Sequence, residues 1–108
     1  MMTRVSCNGA SGTQYTMIVA PIGASLPKVG GVYLLLSREV SVWRALYVGQ
    51  SENLDQRVGS NITSRHAWPK FRRFGATHVA LVDVSDSNDR LWIERDLIQG
   101  LNPPCNDQ

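Results

Sequence analysis

Glu94 is the first residue whose surroundings call for chemistry. With Leu91–Leu101 read as a helix, Leu91 and Leu97 lie three residues from Glu94, Ile98 four and Leu101 seven. The carboxylate therefore falls within the apolar stripe instead of opposite it. An unpaired carboxylate is costly to bury, so it needs a cation, a hydrogen-bond donor or access to water. A metal ion would meet that need. An arginine at the rim would also meet it, with Arg90 and Arg95 close by in the chain. Tyr33 and Tyr47 form the second feature. They can share one sheet face if the strands that carry them pair in the simplest register. A tyrosine hydroxyl can donate to a phosphate, hold a water, or act as a base when a nearby cation draws its proton away. The alternative is cross-strand packing of two β-prone aromatics.

The third feature is a charge block. From Gln56 through Val82 there is no acidic residue, while Arg57, Arg65, Lys70, Arg72, Arg73, His66 and His78 all fall there. Trp68, Phe71 and Phe74 are interleaved. Cations contact phosphates, and aromatic faces stack on exposed bases. A solvated basic face with some aromatics turned inward is the competing explanation, and Phe71 or Phe74 is expected in the core. The missing acids favour a polyanion partner over a purely protein-binding role.

These residues need elements to hold them. Val32–Leu36 is continuously apolar, the pattern of a buried strand. Trp43–Val48 is β-prone and near enough to pair with it as a hairpin across a polar connection. Gly49 ends that strand. Asn53, followed by Gln56, resembles a capping box that opens a helix with Leu54, Val58 and Ile62 on one face. Ala76–Val84 reads as a third strand, with Val79, Leu81 and Asp83 on one side. Leu91–Leu101 is the last helix, closed by Gly100, Pro103 and Pro104. The order strand, strand, helix, strand, helix implies an α+β domain, a small three-stranded antiparallel sheet flanked by helices. Tyr15–Ala20 is a candidate extra N-terminal strand. Residues 1–25 read as a partly disordered N-terminal extension and 26–108 as the functional domain.

The chain has 108 residues and a formal charge of +2. That length suits one domain, and the charge allows a nucleic-acid partner without requiring it. Cys7 and Cys105 stand near opposite ends and match no zinc spacing. Two reduced thiols and the absence of a signal-peptide pattern lead us to expect a cytoplasmic protein. No run is long enough to suggest a membrane span, so no membrane partner is expected.

Taken together, the residues resemble the GIY-YIG nuclease family. Gly31-Val32-Tyr33 looks like its first signature and Tyr47-Val48-Gly49 like its second. Asn53-Leu54 with Arg57 is similar to its arginine-bearing helix. Glu94 with Leu97-Ile98, closing on Pro103-Pro104 and Asn106, is similar to its last block. The resemblance implies a metal-dependent endonuclease that hydrolyses DNA phosphodiesters. It implies Mg2+ at Glu94, with Mn2+ able to substitute, because magnesium keeps waters and suits a lone carboxylate. Arg57 would stabilise charge on the scissile phosphate. Tyr33 and Tyr47 would surround the attacking water, with Tyr33 the favoured base and the reverse also compatible. Asn106 would brace the site.

Two positions depart from the family pattern. Asn61 stands where many members carry a His or Tyr four residues after the arginine, and His66 is the candidate replacement. Gln50 stands where some members carry lysine. Arg65, Lys70, Arg72, Arg73, Trp68, Gln50 and Asn61 are the expected nucleic-acid contacts. With no second DNA-binding domain, specificity would come from substrate shape, from the basic loop or from a partner protein. The Asn61 and Gln50 departures keep a second reading open, a nucleic-acid-binding module of the same fold that cleaves slowly or not at all.

Overall fold

The run Val32–Leu36 is apolar at every position because both of its faces are covered. In the computed structural model, which describes residues 3–106, Val32, Leu34 and Leu36 point into one core and Tyr33 and Leu35 into another. Among the described residues, five strands form a single antiparallel sheet: β1 (Thr3–Asn8), β2 (Gln14–Pro21), β3 (Gly31–Glu39), β4 (Val42–Ser51) and β5 (His78–Asp83). Their spatial order is β1-β2-β5-β3-β4. The helices are α1 (Leu54–Val58), α2 (Trp68–Arg73) and α3 (Ser87–Leu101), with a 3₁₀ turn at Ile62–Ser64. The class is α+β, as the pattern predicts.

The last strand in the chain is central in the sheet. β5 alternates Val79 and Leu81 on one face with Ala80 and Val82 on the other. The first face carries α1, the 3₁₀ turn and α2 through Leu54, Val58, Ile62, Trp68 and Phe71. The second carries α3 through Leu97, Ile93, Ile98 and Leu101. No helix is long and apolar enough to cross a membrane among the described residues.

The sheet is larger than the expected three strands: the candidate extra strand at Tyr15–Ala20 forms as β2, and β1 is a further strand within the segment expected to be partly disordered. β1 and β2 form a hairpin, and β2 pairs with β5 from Ile18↔Leu81 to Pro21↔His78. Met17 is fully buried in the α3-side core, which anchors this hairpin to the rest. A polar contact reinforces it. Asp96 of α3, only 6 % exposed, accepts hydrogen bonds from the Ser11 amide (2.8 Å), the Ser11 hydroxyl (2.8 Å) and the Tyr15 hydroxyl (2.8 Å). Met1 and Met2, part of the segment expected to be loose, lie outside the described residues.

Other boundaries also shift. The polar connection expected at Ser37–Val42 is mostly strand, with a tight turn at Val40 and Ser41. Val40 adopts φ 57°, a conformation that β-branched residues rarely take. α1 is a single turn, and Ile62 belongs to the 3₁₀ turn that follows it. The Asn53 cap forms as expected, its side chain accepting from the Gln56 amide at 3.1 Å. Neither cysteine is in a disulfide.

Candidate active site

Pairing between β3 and β4 sets the positions of the two tyrosines. Tyr33 lies opposite Gly49 and Leu35 opposite Tyr47, so the tyrosines are diagonal neighbours on one face. Their ring centroids are 6.2 Å apart, tilted by 38°. One residue beyond, the register slips between Leu35 and Leu36, leaving Leu46 as a bulge. The bulge decides which way Tyr47 points. Ala45 and Val48 both pack on the α3 side, while Tyr47 faces α1 and α2. A bulge re-aims a side chain in this way wherever one extra residue interrupts the alternation.

Glycine is required at two of the neighbouring positions. A Cβ at Gly49 would overlap the hydroxyl of Tyr33, which lies across the strand at that point. A Cβ at Gly31 would meet the carbonyl of Val82 and the side chain of Leu54, so the bare backbone lets α1 sit down on the sheet. The glycines of the two triplets are thus fixed by contacts with the tyrosine and the helix beside them.

The outer edge of β4 is closed by the C-terminal segment. Asn106 Oδ1 accepts from the Val48 amide at 2.8 Å, and Asn106 Nδ2 donates to the Val48 carbonyl at 2.9 Å. The Cys105 amide donates to the Leu46 carbonyl at 2.8 Å. One amide side chain and one backbone amide thus hold β4 on either side of Tyr47. Asn106 holds the strand that carries Tyr47 and does not line the cavity that Tyr33 and Tyr47 share.

Tyr33, Tyr47, Arg57, Arg65, His66 and Trp68 converge on one cavity of about 190 Å³. Its floor is apolar, from Val58, Ile62 and Phe71, and Phe71 stacks 5.1 Å from Tyr47. Arg57 comes from the end of α1, Arg65 and His66 from the segment before α2, and the tyrosines from the sheet. Arg57 and Arg65 also line a second, open cleft of about 490 Å³ with Gln50, Glu52 and Arg90. The two spaces are neighbours across these shared arginines.

Tyr33 is 3 % exposed. Burial pushes its hydroxyl well above the ordinary tyrosine range, and Tyr47 and Glu94 add to that. The guanidinium groups of Arg57 and Arg65 pull the other way without cancelling it. Tyr33 therefore keeps its proton at neutral pH. Glu94 is half-buried, and desolvation raises its carboxyl above the usual range, against a lowering by Arg95. It forms no hydrogen bond or ion pair among the described residues. The pairing with Arg90 considered from sequence is absent, because Arg90 turns instead to Gln50, Val84 and Ser85. Glu94 does not line the tyrosine cavity; its charge reaches Tyr33 from the α3 side. Among the described residues no group of three or more His, Cys, Asp or Glu side chains could cage a metal.

Other expected contacts are scattered. Lys70 does not face the cavity; its Nζ donates to the Cys105 carbonyl at 3.1 Å and ties α2 to the C-terminal segment. Asn61 lines neither space, and its carbonyl accepts from the Ser64 amide and hydroxyl at the 3₁₀ turn. Arg72 and Arg73 are exposed on α2 and border a shallow depression with Trp68 and Pro69. Phe71 is the aromatic that packs inward, whereas Phe74 is exposed. Trp43 packs edge-on to His78 at 4.8 Å and under Arg38 at 4.3 Å, and Trp92 is exposed. Two residues have roles at the site that their sequence context did not assign. Phe71 backs Tyr47, and Arg90 lines the cleft. The signal for Arg90 was its place four residues before Glu94, on the same side of α3.

No protein-family model matches the chain, and no solved structure matches it.

Proposed function

We propose that the chain is a metal-dependent DNA endonuclease of the GIY-YIG type. The observation that carries this reading is the single cavity shared by Tyr33, Tyr47, Arg57, Arg65 and His66. Two hydroxyls, two guanidinium groups and an imidazole around an apolar floor suit a phosphodiester and an attacking water. They suit an uncharged or cationic ligand poorly.

Each side chain then has a distinct task. Arg57 and Arg65 bind the scissile phosphate, and Arg57 stabilises the charge that develops on it. Tyr33, which holds its proton, donates a hydrogen bond and positions the phosphate. That makes it a poor base and reverses the role favoured from sequence. Tyr47, the more open of the two hydroxyls, orients the water. His66, exposed at the cavity wall, accepts the water's proton as general base. The fit of a magnesium ion rests on Glu94, a half-buried carboxylate with no hydrogen bond or ion pair among the described residues. Such a carboxylate can hold Mg2+ or Mn2+ whose other ligands are water and phosphate oxygens, and the ion would supply Lewis-acid stabilisation of the phosphate.

One observation favours the second reading, a nucleic-acid-binding module without turnover: Glu94 lies outside the cavity and belongs to no group of three potential metal-ligating side chains among the described residues. A cleavage panel separates the two. Purified protein is incubated with duplex, flap, junction and single-stranded DNA in Mg2+ or Mn2+. Nicking of at least one substrate is expected. Tight, salt-sensitive binding with every substrate left intact would establish the module instead.

A further inference from the structure

Arg90 is a buried cation held by several hydrogen bonds. It is 5 % exposed, yet it forms no ion pair with any described residue. Its Nη1 donates to the carbonyls of Val84 and Ser85, each at 2.9 Å, and its Nε donates to Gln50 Oε1 at 3.2 Å. These bonds lock the guanidinium plane. They leave Nη2 without a protein partner among the described residues and not sealed from solvent, and Arg90 lines the 490 Å³ cleft. Gln50 has its carbonyl oxygen engaged by Arg90, so its amide NH2 is the end left to the same cleft. Arg57 and Arg65 form the wall toward the tyrosine cavity. Three guanidinium groups face one carboxylate there, that of Glu52, which is exposed. A buried, uncompensated cation is costly unless something else supplies the opposite charge.

We infer that this cleft is a second phosphate subsite, in which Arg90 and the Gln50 amide bind the phosphodiester next to the one held at the tyrosines. The inference rests on the nuclease reading for the identity of the strand. It adds a residue pair that fixes the strand's path across the mouth of the cavity. Arg57 lies between the two phosphates. Because Arg90 is locked by three hydrogen bonds before the strand arrives, little side-chain entropy is lost on binding.

The test is equilibrium binding of a fluorescein-labelled DNA oligonucleotide, followed by anisotropy across a salt titration with EDTA present. Two test variants and one reference variant are compared with the wild type. Gln50→Glu keeps an acceptor for the Arg90 Nε–H but sets a negative charge in the cleft. Arg90→Met keeps the length of the side chain and removes its charge. Arg44→Met removes an exposed arginine far along β4 as a reference. Gln50→Glu and Arg90→Met are expected to weaken binding about tenfold or more at low salt. Arg90→Met should also lower the slope of log K against log salt by about one, while Arg44→Met stays within about twofold. If Arg90→Met fails to fold by circular dichroism, Gln50→Glu decides alone. Wild-type binding that Gln50→Glu leaves unchanged would overturn the subsite and leave the nuclease reading standing. A wild-type protein that binds no DNA at low salt would overturn both.

Discussion

Tyr33 and His66 divide the proton chemistry of the proposed site. Burial keeps the proton on Tyr33, whereas His66 stands in the open wall of the same cavity. His66→Asn is therefore expected to lower kcat about 10²–10⁴-fold with little change in KM. Tyr33→Phe is expected to raise KM more than it lowers kcat, since it removes a phosphate donor. Steady-state cleavage kinetics read both, and the opposite pattern would return the base role to Tyr33. The two tyrosines and Arg57 were legible as candidates in the sequence because residue type and order sufficed. The assignment of roles was not, because it depends on how deeply each hydroxyl is buried. Lys70 shows the same limit. Its sequence context is a basic block, but its ammonium group donates to the Cys105 carbonyl.

The hairpin β3–β4 and the segments that clamp it turn separate residues into a site. Gly49 lies beneath the Tyr33 hydroxyl, so Gly49→Ala must push the ring aside. A loss of about 1–3 kcal/mol in stability is expected from overpacking, together with a fall in activity larger than the stability change explains. Chemical denaturation and cleavage rates measured on the same samples would separate the two effects. Asn106 holds the β4 edge through both ends of its amide. Asn106→Ala is expected to cost roughly 1–3 kcal/mol, with a Tm lowered by about 4–8 °C per kcal/mol. Calorimetry would show it, and an unchanged Tm would mean the clamp contributes nothing. Strands with continuous apolar runs, and the Asn53 cap, could be read directly from sequence. The bulge at Leu46 could not, since its signal is a change of face between Ala45 and Tyr47 that looks like ordinary alternation until both partners are known. The short α2 was hidden for a different reason: it is only six residues long and has no fully buried residue, and its apolar positions Trp68 and Phe71 are interleaved with Lys70, Arg72 and Arg73.

Across the whole molecule, the β1–β2 hairpin joins the sheet through β5 and through the carboxylate of Asp96. Burial alone would raise that carboxyl, but hydrogen bonds from the Ser11 amide, the Tyr15 hydroxyl and the Ser11 hydroxyl outweigh it and hold the group below its ordinary range. The folded state thus binds the proton less tightly than the unfolded one. Stability from this contact is present above about pH 4 and is lost as pH falls through the lowered value. At the other extreme, burial and Asp96 push Tyr15 up to about 12, so its share persists below about pH 10 and fades as pH rises toward that value. Asp96→Asn should flatten the acid limb of a Tm-against-pH curve, measured by circular dichroism; an unaltered limb would assign acid sensitivity elsewhere. Tyr15–Ala20 was legible as an extra strand, but β1 was not, because it turns only Val5 and Cys7 toward the core and its other positions are polar. Its order comes from Met17 and Asp96, contacts that join distant parts of the chain. The sheet they complete sets the two tyrosines beside Arg57. Whether that arrangement hydrolyses DNA is decided most directly by single-turnover cleavage of a labelled DNA substrate in Mg2+, with wild type, Arg57→Ala and Glu94→Gln compared at matched folding. The account predicts cleavage by the wild type and a loss of about 10²-fold or more in both variants. Cleavage that survives undiminished in either variant, or a wild type that cuts nothing in Mg2+ or Mn2+, would contradict it.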